Sequence, residues 1–451
     1  MCSCGESQGG VVSACDPVGQ KRRVLILGGG FAGLYAALRF EKKLCDRDDV
    51  EVTLINRENY FSFTPMLHEV AASDLDLTHI VNPVRKLLRR VRFFLGDVES
   101  VDLAARQVVV SHGSDGHTHA LAFEHLIVAL GCTTNFYGLP GLAEHALAMK
   151  SLGDAIALRN QLISQLEEAD TECALKHGLR ESLTTFVVAG GGFAGVETIA
   201  SVNDFVRQAL AFYPSLTQDE VRFVLVHSGD VLLPELDRSL GRYARRQIEA
   251  RGVEVRTGVR VRGLSEQGVA LSDGTVIPTR CLVWTAGTSP HPLLESLPCK
   301  KENGRIAVGP DLAVEGYPGV WSLGDCALVP SKRGGSHPPT AQHALREAVT
   351  AADNVLAALR GKPARAFHFN TIGQLATTGR RTGVARIFGV RFSGFLAWWL
   401  WRTIYLAKLP RAEKKLRVML DWTLDLFFSK DLVQYTTVRS PAMSRAADRA
   451  Q

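Results

Sequence analysis

The stretch "VLILGGGFAGLYAAL" (residues 24–38) decides how this chain folds, and its six central residues return in "TFVVAGGGFAGVETIA" (residues 185–200). Both copies carry Gly-x-Gly-x-x-Gly: Gly28, Gly30 and Gly33, then Gly190, Gly192 and Gly195. Each follows a short apolar run that reads as a buried parallel strand, and each opens a segment with helical apolar spacing. A second strand pattern follows each at the βαβ distance: "VEVTLIN" (residues 50–56) and "VRFVLVH" (residues 221–227). That context turns a weak glycine pattern into a dinucleotide-binding fingerprint. The first glycine permits the tight turn, the second lets backbone approach a pyrophosphate, and the third lets helix and strand pack closely. The pyrophosphate then rests on unpaired amides at the helix N-terminus. Two such units predict an α/β protein with two Rossmann-like domains.

Length and composition agree. A chain of 451 residues has room for two or three domains. With 46% apolar and 22% charged residues it is neither disordered nor collagenous. The net charge of +6 is modest, but ten Lys and Arg lie between Arg380 and Arg417 against one acid, Glu413. Such a segment faces something anionic or forms a solvated surface. Nine scattered cysteines without a CxxC or zinc-type spacing suit free thiols in a reducing compartment. No metal site is expected. The first twenty residues have neither an apolar h-region nor a basic n-region, so no secretory signal is expected.

Two bound dinucleotides have a chemical rationale: a flavin that takes hydride from a nicotinamide needs one fold for each. A third signal, "GVWSLGDCA" (residues 319–327), is similar to the second FAD signature of two-dinucleotide flavoproteins, in which the aspartate, here Asp325, holds the ribityl chain. It lies beyond the second fingerprint, so the resemblance implies a split FAD domain with the nicotinamide domain between its parts. "HLIVALGCTTNFYGLPG" (residues 125–141) and "CLVWTAGTSPHPLL" (residues 281–294) then read as the two crossing segments.

With these pieces together, the chain resembles the type II NADH:quinone oxidoreductases, single-subunit NADH dehydrogenases that do not pump protons. The resemblance runs from about residue 21 to 438. It rests on "FTPMLHEVA" (63–71), "GGGFAGVE", "WTAG" (284–287), "LGD" (323–325), "PPTAQHA" (338–344) and the aromatic "GFLAWWLW" (394–401). It implies that FAD sits on Gly28, Gly30, Phe31, Ala32 and Gly33, with Asn56, Arg57, Gly131 and Asp325 also in contact. NADH would sit on Gly190, Gly192 and Gly195, with His227 and Gly287. Glu197 would lie where nicotinamide and isoalloxazine meet, although an acid there is also favoured by the helix dipole. Gln342 falls on the family's quinone motif, whose second glutamine is Arg346 here, a group that only donates. Glu197, Gln342 and Arg346 are the expected catalytic positions. His68 is a possible pocket residue, with a packed core histidine as the plainer reading.

The strand ends that usually carry a ribose-binding acid hold Asn56 and His227 instead. Asn56 can still accept from and donate to a hydroxyl. His227 neither grips a 2′-hydroxyl nor repels a 2′-phosphate, so NADPH stays open beside NADH.

The expected domains are a disordered tail (1–20), an FAD domain in two parts (21–150 and 286–365), a nicotinamide domain (151–285), a membrane-associating segment (366–440) and a disordered tail (441–451). In the tail, residues 392–409 are too short and too charged to span a bilayer but suit an interfacial helix. In residues 414–428, Lys414, Arg417, Asp421 and Asp425 share one helical stripe, and Leu416, Leu420, Leu424 and Phe427 another. A hairpin packed on the core or on a second subunit is the competing reading. The expected partners are a membrane quinone, an anionic lipid surface and a second copy in a homodimer, with no nucleic acid. The expected location is the cytoplasmic face of a bacterial inner membrane, peripherally bound. Two alternatives stand beside this reading. One is a sulfide:quinone oxidoreductase-like or other NAD(P)H-dependent flavoprotein reductase, the sulfide chemistry drawing on Cys132 and Cys326. The other is a non-catalytic NAD(H)-sensing flavoprotein.

Overall fold

The two glycine fingerprints build two copies of one arrangement. A computed structural model describes residues 21–44, 49–113, 115–172, 177–332 and 334–435; the tails expected at 1–20 and 441–451 lie outside them. Its contacts divide the chain into two units. The first holds residues up to Ser62, Val81–Asn135 and Thr288–Ile372; the second holds Phe63–Ile80, Phe136–Gly287 and residues from Gly373 onward.

In the first unit the fingerprint strand Arg22–Leu27 is central in a five-stranded parallel sheet. Val50–Asn56 and then Arg92–Leu95 lie on one side, His125–Val128 and then Val320–Ser322 on the other. Val24, Ile26 and Leu27 are fully buried, as expected of a strand covered on both faces. The fingerprint helix Phe31–Lys43 packs along the helix Ala341–Ala358. Between the third strand and His125–Val128 the chain makes an antiparallel meander of Asp97–Asp102, Gln107–His112 and His117–Ala122.

The second unit repeats the plan. Thr185–Ala189 is central, flanked by Arg222–His227 and Val253–Thr257 on one side and by Cys281–Trp284 and Leu147–Ala148 on the other, all parallel. It too has a meander, Val261–Ser265, Gly268–Leu271 and Val276–Ile277, before its late strand. Here the fingerprint helix Phe193–Ala209 packs against Leu67–Ala71 and the strand Gly373–Thr377. That strand opens an antiparallel sheet with Gly383–Ile387 and Val390–Gly394. Helices Phe395–Lys408 and Ala412–Leu424 follow.

The two crossing segments meet as an antiparallel pair, Cys132–Thr134 with Thr288–Pro290. The connector at 166–183 is largely helical: its first residues end the helix Leu152–Thr171, and His177–Thr184 forms a short helix before the second fingerprint. None of the helices among the described residues is long and apolar enough to cross a membrane.

Candidate functional site

Each fingerprint closes a cradle whose first and third glycines cannot be replaced without strain or overlap. Gly28 has φ +97° and Gly190 φ +118°, the left-handed half of the map. A methyl group on Gly33 would overlap the Gly28 carbonyl oxygen, and one on Gly195 would overlap that of Gly190. Above Gly30 there is open space, and Gly192 has only Glu235 Oε1, 3.7 Å from its would-be Cβ. Each helix therefore presents bare amides with room for a pyrophosphate, so the residues present fit one dinucleotide per unit.

The strand-end residues act on the glycine loop. Asn56 Oδ1 accepts from Gly29 N at 2.8 Å while its Nδ2 donates to Glu58 O at 2.8 Å. His227 Nδ1 accepts from Gly191 N at 3.1 Å. Burial lowers the His227 pKa, so the ring is neutral near pH 7 and can accept. The strand end itself carries no carboxylate, as expected, but the loop after it brings Glu235 Oε1 to the Gly192 turn. Asp230 pairs with Arg238 at 3.0 Å.

In the first unit Phe31 packs edge-on against Phe61 at 5.0 Å, and a methyl on Gly324 would meet Ala32 Cβ at 3.1 Å. Gly131 N donates to Cys326 Sγ at 2.9 Å, and Cys132 Sγ donates to Asp325 at 2.8 Å. Arg57 is exposed. Burial pushes the Cys326 thiol up to about 12, so it is neutral. Gly324 N donates to Glu347 Oε2 at 2.8 Å, and burial pushes that carboxyl up to about 7. Gln342 Oε1 accepts from Ile372 N at 3.3 Å. The Arg346 guanidinium lies over the Phe369 ring at 4.0 Å and donates to Gln342 O at 2.8 Å. In the second unit, a methyl on Gly287 would strike the Tyr137 ring.

Glu197 is the most perturbed of the expected site residues. It is buried on the fingerprint helix, and its Oε1 accepts from Trp401 Nε1 at 2.9 Å and Thr377 N at 3.2 Å. Burial nevertheless pushes its pKa up to about 8, with the nearby Glu69 adding to the rise. Oε2 faces His68 Nδ1 at 4.0 Å. Burial lowers His68 to about 3, so at pH 7 this is an approach of two neutral groups rather than an ion pair. His68 also packs edge-on against Trp401, 5.4 Å between centroids. A second buried carboxyl, Glu69, accepts from Trp422 Nε1 at 3.1 Å and is likewise raised to about 8. Sequence reading passed over Glu69 and Glu347, although one lies inside "LHEVA" and the other directly follows Arg346.

The C-terminal helices correct the expected tail. The helix begins at Phe395, with Phe392 in the preceding strand, and Trp401 points inward to Glu197. The basic stretch is partly internal. Arg402 is sandwiched between Trp398 at 4.3 Å and Trp422 at 4.5 Å, and Arg380 pairs with Asp425 at 3.3 Å. Of the expected polar stripe, Lys414 is buried and donates to Thr78 O at 2.6 Å, and Asp421 pairs with His79, whereas Arg417 stays exposed. The apolar stripe of Leu416, Leu420 and Leu424 is more than half exposed, and Phe427 is 77% exposed. Phe395, Leu396 and Trp399 are also exposed. The helix Ala412–Leu424 thus buries Lys414, Val418 and Trp422 and leaves its leucine stripe exposed, while Thr78 O, His79 and Arg380 hold Lys414, Asp421 and Asp425.

The chain matches known proteins along most of its length. Residues 22–348 match the pyridine nucleotide-disulphide oxidoreductase family and residues 372–431 the NDH2 C-terminal domain. It is 35% identical over 442 residues to the type II NADH:quinone oxidoreductase Ndh of Mycobacterium tuberculosis, covering 94% of this chain and 92% of that protein. It is 31% identical to a probable NADH dehydrogenase of Dictyostelium discoideum, covering 92% of each. The structure of NDH2 from Plasmodium falciparum in complex with NADH superposes with a TM-score of 0.85 at 19% identity, over 92% of this chain and all of that one.

Proposed function

Since the chain belongs to the type II NADH:quinone oxidoreductases, we propose that it oxidises NADH and reduces a membrane quinone without pumping protons. The observation that carries this reading is the pair of matching glycine cradles, one per unit. FAD held on the first cradle would supply the hydride-accepting and electron-relaying chemistry between nicotinamide and quinone.

The chain's own residues bind, orient and hold protons. Gly28, Gly30 and Gly33 with the first helix amides hold the FAD pyrophosphate, and Asp325, Gly131, Phe31, Ala32, Asn56 and Arg57 complete that site. Gly190, Gly192 and Gly195 hold that of NADH, with His227 and Gly287 beside them. Glu235 adds a negative charge near this cradle, which favours NADH over the 2′-phosphate of NADPH. Quinol formation consumes two protons. Glu197 is the proton-holding group: with Oε1 taken by two N–H donors, its proton sits on Oε2 and is present at pH 7. Gln342 and Arg346 face the quinone, the arginine donating to a quinone carbonyl.

The domain division in this reading is an FAD domain in two parts (21–150 and 286–365) around a nicotinamide domain (151–285), then a membrane foot (366–440), although residues 63–80 and those from 373 onward group with the second unit. The outward apolar faces of Phe395–Lys408 and Ala412–Leu424, edged by Lys408 and Arg417, suit insertion at an anionic lipid surface. Peripheral attachment to the cytoplasmic face of a bacterial inner membrane, as a homodimer, fits that foot. Sulfide chemistry is disfavoured because a thiol raised to about 12 is a poor nucleophile at neutral pH.

Anaerobic mixing with NADH should bleach the flavin's visible absorbance, and a short-chain quinone should restore it. Absence of bleaching with either nicotinamide would sink the dehydrogenase reading. For the foot, co-sedimentation with phosphatidylglycerol vesicles should fall about tenfold or more in the Trp399→Asp, Leu420→Asp double variant. Equal binding by the variant would refute it.

A further inference from the structure

The meander of the first unit carries "HGSDGHTH" (residues 112–119), a motif that the oxidoreductase reading leaves unused. His112 is paired directly across from His117, and Val110 across from His119. Residues two apart on a strand share a face, so His112, His117 and His119 project from one side of the hairpin. Their rings lie 4.7 Å (His112 and His117), 5.1 Å (His117 and His119) and 5.7 Å (His112 and His119) apart. One ring nitrogen from each comes within 4.8 Å of the others. The meander of the second unit has no histidine in its three strands.

Three features of this cluster go beyond proximity. Nε2 of His119 is shielded from solvent and has no hydrogen-bond partner, a costly state for a polar atom that a ligand would relieve. His117 Nδ1 is held by Asp115 Oδ1 at 2.8 Å. A carboxylate on one imidazole nitrogen fixes the tautomer and offers the other nitrogen to a metal. His112 and His117 are exposed, so their rings can rotate. Nitrogens bound tetrahedrally at about 2.0–2.1 Å stand about 3.4 Å apart, a gap that small changes in side-chain torsion close.

We propose that His112, His117 and His119 bind one divalent transition-metal cation of the kind that favours imidazole, such as Zn²⁺, with Asp115 orienting His117. Three protein nitrogens leave the fourth position of a tetrahedral ion to water. Imidazole ligation selects against Mg²⁺ and Ca²⁺, which take oxygen. The ion clamps the strand Gln107–His112 to His117–Ala122 beside their turn.

The test uses full-length, flavin-loaded protein purified without a histidine tag and stripped with a chelator. Calorimetric titration with ZnCl₂ should show one site, and X-ray absorption at the zinc edge should show three imidazole nitrogens at about 2.0 Å. The His112→Gln, His119→Gln double variant should keep its flavin spectrum and lose the imidazole signature, with affinity down at least about tenfold. Asp115→Asn should weaken binding about tenfold. The proposal is overturned if the wild-type protein takes up no Zn²⁺, or if the double variant binds it with unchanged affinity and ligand shell.

Discussion

The two fingerprint units use the same six residues to make the same cradle, then part company two residues later. After Gly33 the helix places Tyr35, half-buried beside Phe31 and Phe61. After Gly195 the same position is Glu197, buried and capped by Trp401 and Thr377. The first helix packs along the helix Ala341–Ala358, and the second packs against Leu67–Ala71 and the strand Gly373–Thr377. Phosphate binding is a backbone task, and the turns tolerate no side chain at Gly28, Gly33, Gly190 or Gly195. What a unit does beyond it depends on the elements that cover its helix. In the first unit the buried carboxyl, Glu347, and the Asp353 that pairs with Arg39 sit on the covering helix; in the second the fingerprint helix itself carries the buried carboxyl, Glu197.

One methyl group added in each cradle should separate the two units most clearly. Gly33→Ala and Gly195→Ala both force a methyl onto a carbonyl oxygen inside the turn. The expected cost is about 1–3 kcal/mol or more in each unit, with different consequences. Gly33→Ala should yield protein that has lost its flavin absorbance. Gly195→Ala should keep the flavin and lose about a hundredfold in the rate of NADH-driven bleaching, about 2.7 kcal/mol of barrier. If Gly195→Ala also lost its flavin, the two cradles would not be separable by cofactor.

Glu197→Gln tests the position where the units differ. Loss of a positioned proton donor typically costs about 10²–10⁴-fold in rate, so kcat should fall by that order with little change in KM for NADH. The wild-type rate should decline above pH about 8 as Glu197 loses its proton. The Gln variant should lack that limb, and Glu69→Gln should retain it. Stability gives a separate readout. The folded pKa values of Glu197 and Glu69, both about 8, lie above their ordinary 4.5, so the native state holds more protons than the unfolded chain between those values. Stability from these groups is complete below about pH 4.5 and falls as pH rises to about 8, at up to about 1.4 kcal/mol per pH unit for each. Denaturant melts of Glu197→Gln across pH 5–8 should show a shallower fall. An unchanged slope would mean that Glu197 is ionised in the native protein.

Much of this was legible in the sequence because it rests on local rules. The glycines, the apolar runs before them and the strand after each helix are short-range signals, and both parallel sheets follow from them. What escaped sequence reading depends on long-range packing. Glu69 looks like a first-turn acid until Trp422, 353 residues away, donates to it. The C-terminal helix has an evident apolar stripe, but its direction depends on partners such as Thr78 and His79, more than 330 residues earlier. The exposed leucine stripe is what a membrane-facing segment requires; the burial of Lys414 beneath it is what the pattern did not show. Likewise Arg402 looked like an interfacial cation and is enclosed between two indoles. The strand end His227 says nothing of Glu235, which reaches the Gly192 turn from the following loop.

The smallest expected effect sharpens the parallel between the cradles. Asn56 and His227 occupy the same place at the end of the second strand and accept from the middle glycine amide, Gly29 in one unit and Gly191 in the other. If that bond is the shared requirement, His227→Asn should preserve it. His227→Ala leaves Gly191 N without its acceptor and should cost about 1 kcal/mol, a drop of about 2–4 °C in the melting midpoint of a unit this size. His227→Asn should stay within about half of that, with KM for NADH changed less than about threefold. A threefold or larger rise in NADPH use by His227→Asn would instead mean that the ring itself contributes to nucleotide choice. The similarity of the two strand ends would then stop at the glycine loop.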